Sequence, residues 1–217
     1  METMVLYNGS DIVVRNPDIR AGKPNNDYGR GFYCTEDIEL GREWSCSRGK
    51  GTGILNVYKL HSESLNILDL STNTNALQWI TLLLKHRKFD ITGSVARSAY
   101  SWLIKHCSID IGYADVIVGY RADDSYFSYA KDFINNALSL EELDKALRLG
   151  NLGKQVVLKS DKAYKAIEFI RHEVVEYARY GMKYRERDIE ARNEYFNRDK
   201  QPVTNGIYIM DLMRGRI

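Results

Sequence analysis

Asp27-Tyr28-Gly29-Arg30-Gly31-Phe32-Tyr33-Cys34-Thr35 passes from a glycine turn into a strand, and the residues that follow it, on to Trp44, turn into a helix. Gly29 and Gly31 flank one basic residue, so the backbone there can adopt conformations closed to other residues and bring its N–H groups close to a ligand. Phe32 to Thr35 alternates aromatic and small side chains in the manner of a strand. Ile38 to Arg48 has helical spacing, with Leu40, Trp44 and Ser47 about one turn apart. This arrangement predicts that Tyr33 and Trp44 face one cleft.

Outward from this segment, short strands and helices follow one another without regular alternation. Met4 to Tyr7 predicts a strand closed by the turn Asn8-Gly9-Ser10. Asp11 to Asn26 holds two of the three prolines and reads as a loop over the first strand. Strands are expected at Ile54–Leu60, Asn66–Leu70, Ala114–Tyr120 and Lys154–Lys159. Helices are expected at Asn75–Lys88, Ser94–His106 and Ser125–Leu138, and another begins at the capping box of Ser139 and Glu142. Asp161 opens a long helical pattern to about Arg198, interrupted at Gly181, and Ile207-Tyr208-Ile209-Met210 reads as a returning strand within Asn205–Leu212. The irregular order favours an α+β fold. At 217 residues the chain suits one core: a domain over 1–160 and a helical C-terminal extension over 161–217 packed on it.

Composition narrows the classes of function. Hydrophobic residues at 44% and charged residues at 28% are ordinary for a globular domain. The net charge of +2, from 31 basic and 29 acidic residues, gives no bulk attraction to nucleic acid or to an anionic membrane. Arg171 to Lys200 has a basic look, but its eight Lys and Arg are offset by seven Asp and Glu. The longest apolar stretch, Leu77 to Leu84, is interrupted by Gln78 and Thr81, and Met1 to Arg20 has no leader pattern. A cytoplasmic protein without a membrane span is expected, delivery to another cell without a cleaved signal remaining open. Three cysteines and four histidines lack metal-type spacing, so no metal is expected and a reducing compartment is. His106-Cys107 raises a nucleophilic thiol, although neighbours at one helix end rarely point together.

Gly29-Arg30-Gly31-Phe32-Tyr33, with Trp44 eleven residues beyond the tyrosine, resembles the second motif of the ADP-ribosyltransferase superfamily. The branch is that of the poly-ADP-ribose polymerases and diphtheria toxin, named for a His, a Tyr and a Glu. Leu6-Tyr7-Asn8-Gly9-Ser10 resembles its first motif and Gln155-Val156-Val157-Leu158 its third. More closely, the chain is similar to a bacterial family of uncharacterised domains in that superfamily, whose pattern includes a later strand followed by Ala-Asp-Asp, here Ala122-Asp123-Asp124. The resemblance covers roughly residues 4 to 170. It implies a split β-sheet core with helical insertions, NAD as substrate, and transfer of ADP-ribose to an unidentified protein, nucleic acid or small molecule. Tyr33 and Trp44 would enclose the nicotinamide ring, Gly9 would hold its amide, and Asn8 and Gln155 would hold the ribose. Ser10, Gly31 and Phe32 belong to the same NAD-binding motifs; Arg30 either reaches the phosphates or serves as a surface residue. Roles in toxicity or defence are associated with such domains.

Two departures bear on catalysis. Asn8 stands where the branch has His; an amide can donate to a ribose hydroxyl but cannot titrate. Gln155 stands where the branch has Glu, keeping a hydrogen bond and losing the charge that would stabilise an oxocarbenium-like cation and help deprotonate an acceptor. Asp123 and Asp124 are candidates for the missing charge, or solvated loop residues. A hydrolase with water as acceptor, and a degenerate module that binds NAD or ADP-ribose, remain alternatives.

Overall fold

The computed structural model describes residues 3–47, 49, 51–122, 124–148, 153–197, 203 and 205–216. Its strands are β1 (Thr3–Ser10), β2 (Phe32–Cys34), β3 (Thr52–His61), β4 (Ile67–Asp69), β5 (Val116–Tyr120), β6 (Lys154–Leu158) and β7 (Ile167–Glu176). Its α-helices are α1 (Ile38–Ser45), α2 (Leu70–Asn73), α3 (Ala76–His86), α4 (Ser94–His106), α5 (Asp124–Ile134), α6 (Leu140–Arg148), α7 (Asp161–Ala166), α8 (Tyr177–Asn197) and α9 (Ile209–Met213). The strands form two sheets, in the orders β1-β3-β7 and β2-β6-β5-β4. Among the described residues β4 and β5 run parallel and every other strand pair is antiparallel. Mixed helices and two sheets make this an α+β architecture.

Alternation along the strands builds the core between the sheets. Leu6, Tyr58 and Leu60 from one sheet meet Cys34, Val116, Val118, Val156 and Leu158 from the other, all buried. A second cluster joins α3, α4, α5 and α6 around Trp79, Ile80, Leu83, Phe133 and Leu143. Local chemistry starts the helices where it should. The Asp37 carboxylate accepts from the N–H groups of Glu39 and Leu40 at the head of α1. Ser139 and Glu142 form the expected capping box before α6, at 3.3 and 2.9 Å. Among the described residues no helix is long and apolar enough to cross a membrane.

The C-terminal quarter departs from expectation. In place of one long helix from Asp161, α7 ends at Ala166, ten residues form β7, and α8 begins only at Tyr177. β7 pairs with β3 from Leu60↔Ile167 to Thr52↔Glu176, with a register shift between Val57 and Tyr58. The cause is non-local: β3 is ten residues long, and without β7 one whole edge would present unpaired backbone groups. This segment therefore completes a sheet of the core and is not only a helical extension. The strand expected within Asn205–Leu212 is replaced by α9, where the Asp211 carboxylate accepts from the Tyr208 N–H at 3.2 Å and Ile209 is buried in the helical cluster.

Candidate functional site

The site opens where the two sheets part. Tyr7 and Thr35 exchange both backbone hydrogen bonds, at 2.8 and 2.9 Å, as an isolated bridge between β1 and the end of β2. In an extended strand, residues i and i+2 present their N–H and C=O groups to the same edge. Gly9 therefore directs its backbone groups to the Tyr7 edge, away from β3. Continued pairing would set Gly9 opposite Tyr33. Instead the Asn8 Nδ2 donates to the Tyr33 carbonyl at 2.9 Å, while Asn56 Nδ2 approaches Asn8 Oδ1 at 3.5 Å. Asn8 thus clamps the strands where they diverge, and Gly9 is left lining a cavity of about 360 Å³.

Tyr33 and Trp44 line the same cavity. The Tyr33 hydroxyl donates to the Gly29 carbonyl at 2.7 Å and accepts from the Tyr28 N–H at 3.1 Å, so the ring is fixed by the loop that precedes it. Burial pushes its phenol above the usual tyrosine range. Gly29 has φ of +75°, the conformation its glycine identity allows. The Trp44 indole N–H is buried without a partner among the described residues. The Arg121 guanidinium lies 5.2 Å from the Trp44 ring and 5.7 Å from that of Tyr184, whose hydroxyl is 3.5 Å from Arg121 Nη2.

The floor is polar. Asp27 is only 5% exposed; its Oδ2 accepts from the Ala122 N–H at 3.0 Å and from Gln155 Nε2 at 2.8 Å. Arg87 Nε stands 3.6 Å from Oδ1. Burial raises the Asp27 pKa, against the opposing pull of Ala122, Arg87, Gln155 and Arg121. Gln155 also donates Nε2 to the Tyr120 carbonyl at 3.1 Å. Two acceptors at Nε2 fix the orientation of that amide, and no donor among the described residues reaches Oε1. Tyr28, wholly buried, ties the loop down further by donating to the Tyr120 carbonyl at 2.8 Å and accepting from Trp79 Nε1 at 3.1 Å.

Of the other residues singled out in the sequence, Ser10 lines the cavity. Arg30 does not; it is exposed, and its Nη1 donates to the Arg20 carbonyl at 3.3 Å. Phe32 points to the opposite face of β2, edge-on to Tyr58 at 5.4 Å in the inter-sheet core. Gly31 serves packing, since a Cβ there would lie 2.6 Å from Val157 Cγ1. Asp123 lies outside the described residues, and Asp124 opens α5. His106 stacks on Trp102 at 4.9 Å, and burial raises the Cys107 thiol, which leaves no activated pair there. Among the described residues no group of three metal-ligating side chains gathers.

The sequence reading missed Asp27, Arg87 and Arg121, and the wall formed by Tyr184 and Asp188 of α8. Asp27 stood at the head of the glycine segment, and its place directly before Tyr28-Gly29 was the one local signal.

These residues fall within a known pattern. Residues 4–169 match the family described as "Protein of unknown function (DUF3990)". The chain belongs to that family. No curated protein and no solved structure matches it. The DUF3990 match takes in Gly9, Asp27, Tyr33, Trp44, Arg87, Arg121 and Gln155, and ends inside β7. Tyr184 and Asp188 lie beyond it.

Proposed function

We propose that the cavity binds NAD and that the protein is an NAD-dependent ADP-ribosyltransferase, with the sheet core of that superfamily. The observation that carries this reading is the meeting, in one cavity, of the free backbone edge at Gly9, the rings of Tyr33 and Trp44, and the Gln155 amide. Each answers a need of the chemistry. A planar carboxamide is held by one N–H and one C=O on the same strand edge, which Gly9 provides. The nicotinamide of NAD is a flat cation, and the Trp44 face already accommodates a flat cation, the Arg121 guanidinium. Displaced from the indole, Arg121 joins Arg87 in a pair of guanidinium groups suited to the pyrophosphate. Gln155 Oε1 is left to accept a hydrogen bond from a ribose hydroxyl.

The reaction breaks the bond between nicotinamide and C1′ of the ribose, the electron pair leaving with neutral nicotinamide. A nucleophile of the acceptor then bonds to C1′ and releases a proton. The test uses NAD labelled in its adenylate half, incubated with the purified protein and a cell lysate. Label attached to a macromolecule or a new small molecule, with nicotinamide released, is the expected result. Label recovered only as free ADP-ribose assigns water as the acceptor. The absence of both cleavage and NAD-induced thermal stabilisation overturns the reading.

A further inference from the structure

We propose that Asp27 is the catalytic carboxylate of this site, and that Gln155 is the residue that positions it; the inference rests on the NAD-cleaving reading above. Gln155 occupies the third-motif position, where the resemblance calls for a carboxylate. Its Nε2 donates directly to Asp27, so the missing charge lies one hydrogen bond away, 2.8 Å, on a different segment of the chain.

The environment of Asp27 is that of a group kept for use. Burying a carboxylate carries a desolvation cost of several kcal/mol unless charge and hydrogen bonds offset it. Among the described residues Oδ2 has two donors, whereas Oδ1 has only Arg87, at 3.6 Å and beyond hydrogen-bond reach. Structural ion pairs elsewhere in the same protein are better made: Arg187 grips buried Glu43 with two hydrogen bonds, at 3.0 and 2.9 Å. The under-engaged Oδ1 belongs to a side chain that lines the cavity beside Tyr33 and Gln155. Three segments hold it there. The loop before β2 carries it, the Ala122 N–H at the end of β5 fixes one oxygen, and β6 supplies Gln155.

In the proposed step, cleavage leaves positive charge on C1′ and its ring oxygen, and the Asp27 carboxylate stabilises that charge through a dry, preorganised contact. The acceptor's lone pair forms the new bond to C1′; its proton passes to Asp27 and then to solvent as product leaves. Gln155 Oε1 accepts from a ribose hydroxyl while its Nε2 holds Asp27 in place. A carboxylate whose pKa is raised is also better matched to taking a proton near neutral pH. The charged and titratable groups facing it are Arg87 after α3, Arg121 after β5, and the phenols of Tyr28 and Tyr33; Asp11 and Asp188 line the same cavity.

The experiment moves the charge across the hydrogen bond. Asp27→Asn is expected to lower nicotinamide release about 100-fold or more, with NAD-induced thermal stabilisation retained. Asp27→Asn combined with Gln155→Glu returns one carboxylate to the site and is expected to recover about 10-fold or more over the single variant. The acid limb of the wild-type pH profile lies above the ordinary carboxylate range, because Asp27 must be ionised to act, and it is lost in Asp27→Asn. Folding is checked independently. A raised folded-state pKa contributes stability at low pH that is lost as pH rises through it, so Asp27→Asn melts at or above wild type at neutral pH. Should the single variant fail to fold, the double exchange, which conserves charge, still decides. Wild-type cleavage of NAD with Asp27→Asn equally active, or with a double variant as inactive as the single one, overturns the role of Asp27 and leaves the NAD reading standing. A wild type that neither binds nor cleaves NAD overturns both.

Discussion

Gly9→Ala is expected to abolish NAD turnover and to lower the melting temperature. A Cβ at this position would stand 2.3 Å from the Ser45 nitrogen, 2.6 Å from the Gly41 oxygen and 2.7 Å from the Trp44 carbonyl carbon. All three are backbone atoms of α1, so no flexible side chain can swing aside. β1 or α1 must move. Overpacking of this kind costs about 1–3 kcal/mol, or roughly 2–12 °C in a chain of this size. The activity loss is larger, because the same movement displaces both the Gly9 backbone groups and Trp44, and a misplacement of about 1 Å can cost roughly 100-fold. Thermal denaturation and nicotinamide release measure the two effects. A Gly9→Ala protein with wild-type melting and turnover would contradict both the packing of β1 on α1 and the use of that strand edge.

Arg187→Ala is expected to produce the largest loss of stability of any single change outside the apolar core. Glu43 lies in α1 and is only 3% exposed, and both its oxygens are held by Arg187 of α8. Removing the guanidinium strands a buried charge, a change that costs about 3–5 kcal/mol and roughly 6–20 °C. The pair also holds α8 against the site, since Tyr184 and Asp188 of the same helix line the cavity. Adding Glu43→Gln to Arg187→Ala removes the stranded charge and is expected to restore much of the lost stability. Equal melting temperatures for the single and double variants would show that the loss comes from missing contacts and not from the charge.

What could be read from the sequence was what depends on near neighbours. β2 and α1 were legible because their alternating and helical periods follow one another in a single segment. β5 and β6 were legible because short aliphatic runs mark buried strands. β7 was not. Ile167, Ile170 and Val174 satisfy a helical spacing, whereas β7 turns Ile167, Phe169 and Val175 inward and leaves Ile170 and Val174 exposed; the choice is made by the open edge of β3 more than a hundred residues earlier. Ile207 to Met210 is too short to separate strand from helix by period, and the Asp211 cap at Tyr208 decides it.

The site divides in the same way. Tyr33 and Trp44 are eleven residues apart, so their approach could be argued from local structure. Asp27, Arg87 and Arg121 come from three separate segments, and charged residues scattered along a chain are indistinguishable from surface charge until the fold buries one of them. Arg30, next to the glycines, was the obvious basic candidate; the turn that makes it conspicuous also carries it out to solvent.

The most direct test of the NAD-cleaving claim is nicotinamide release from NAD by the purified protein, wild type against Tyr33→Ala, with NAD-induced thermal shift followed in parallel. The account predicts release by the wild type and its loss in Tyr33→Ala, whose missing ring leaves the nicotinamide unenclosed. Wild type and variant releasing nicotinamide at the same rate, or neither releasing it and neither gaining stability from NAD, would contradict it.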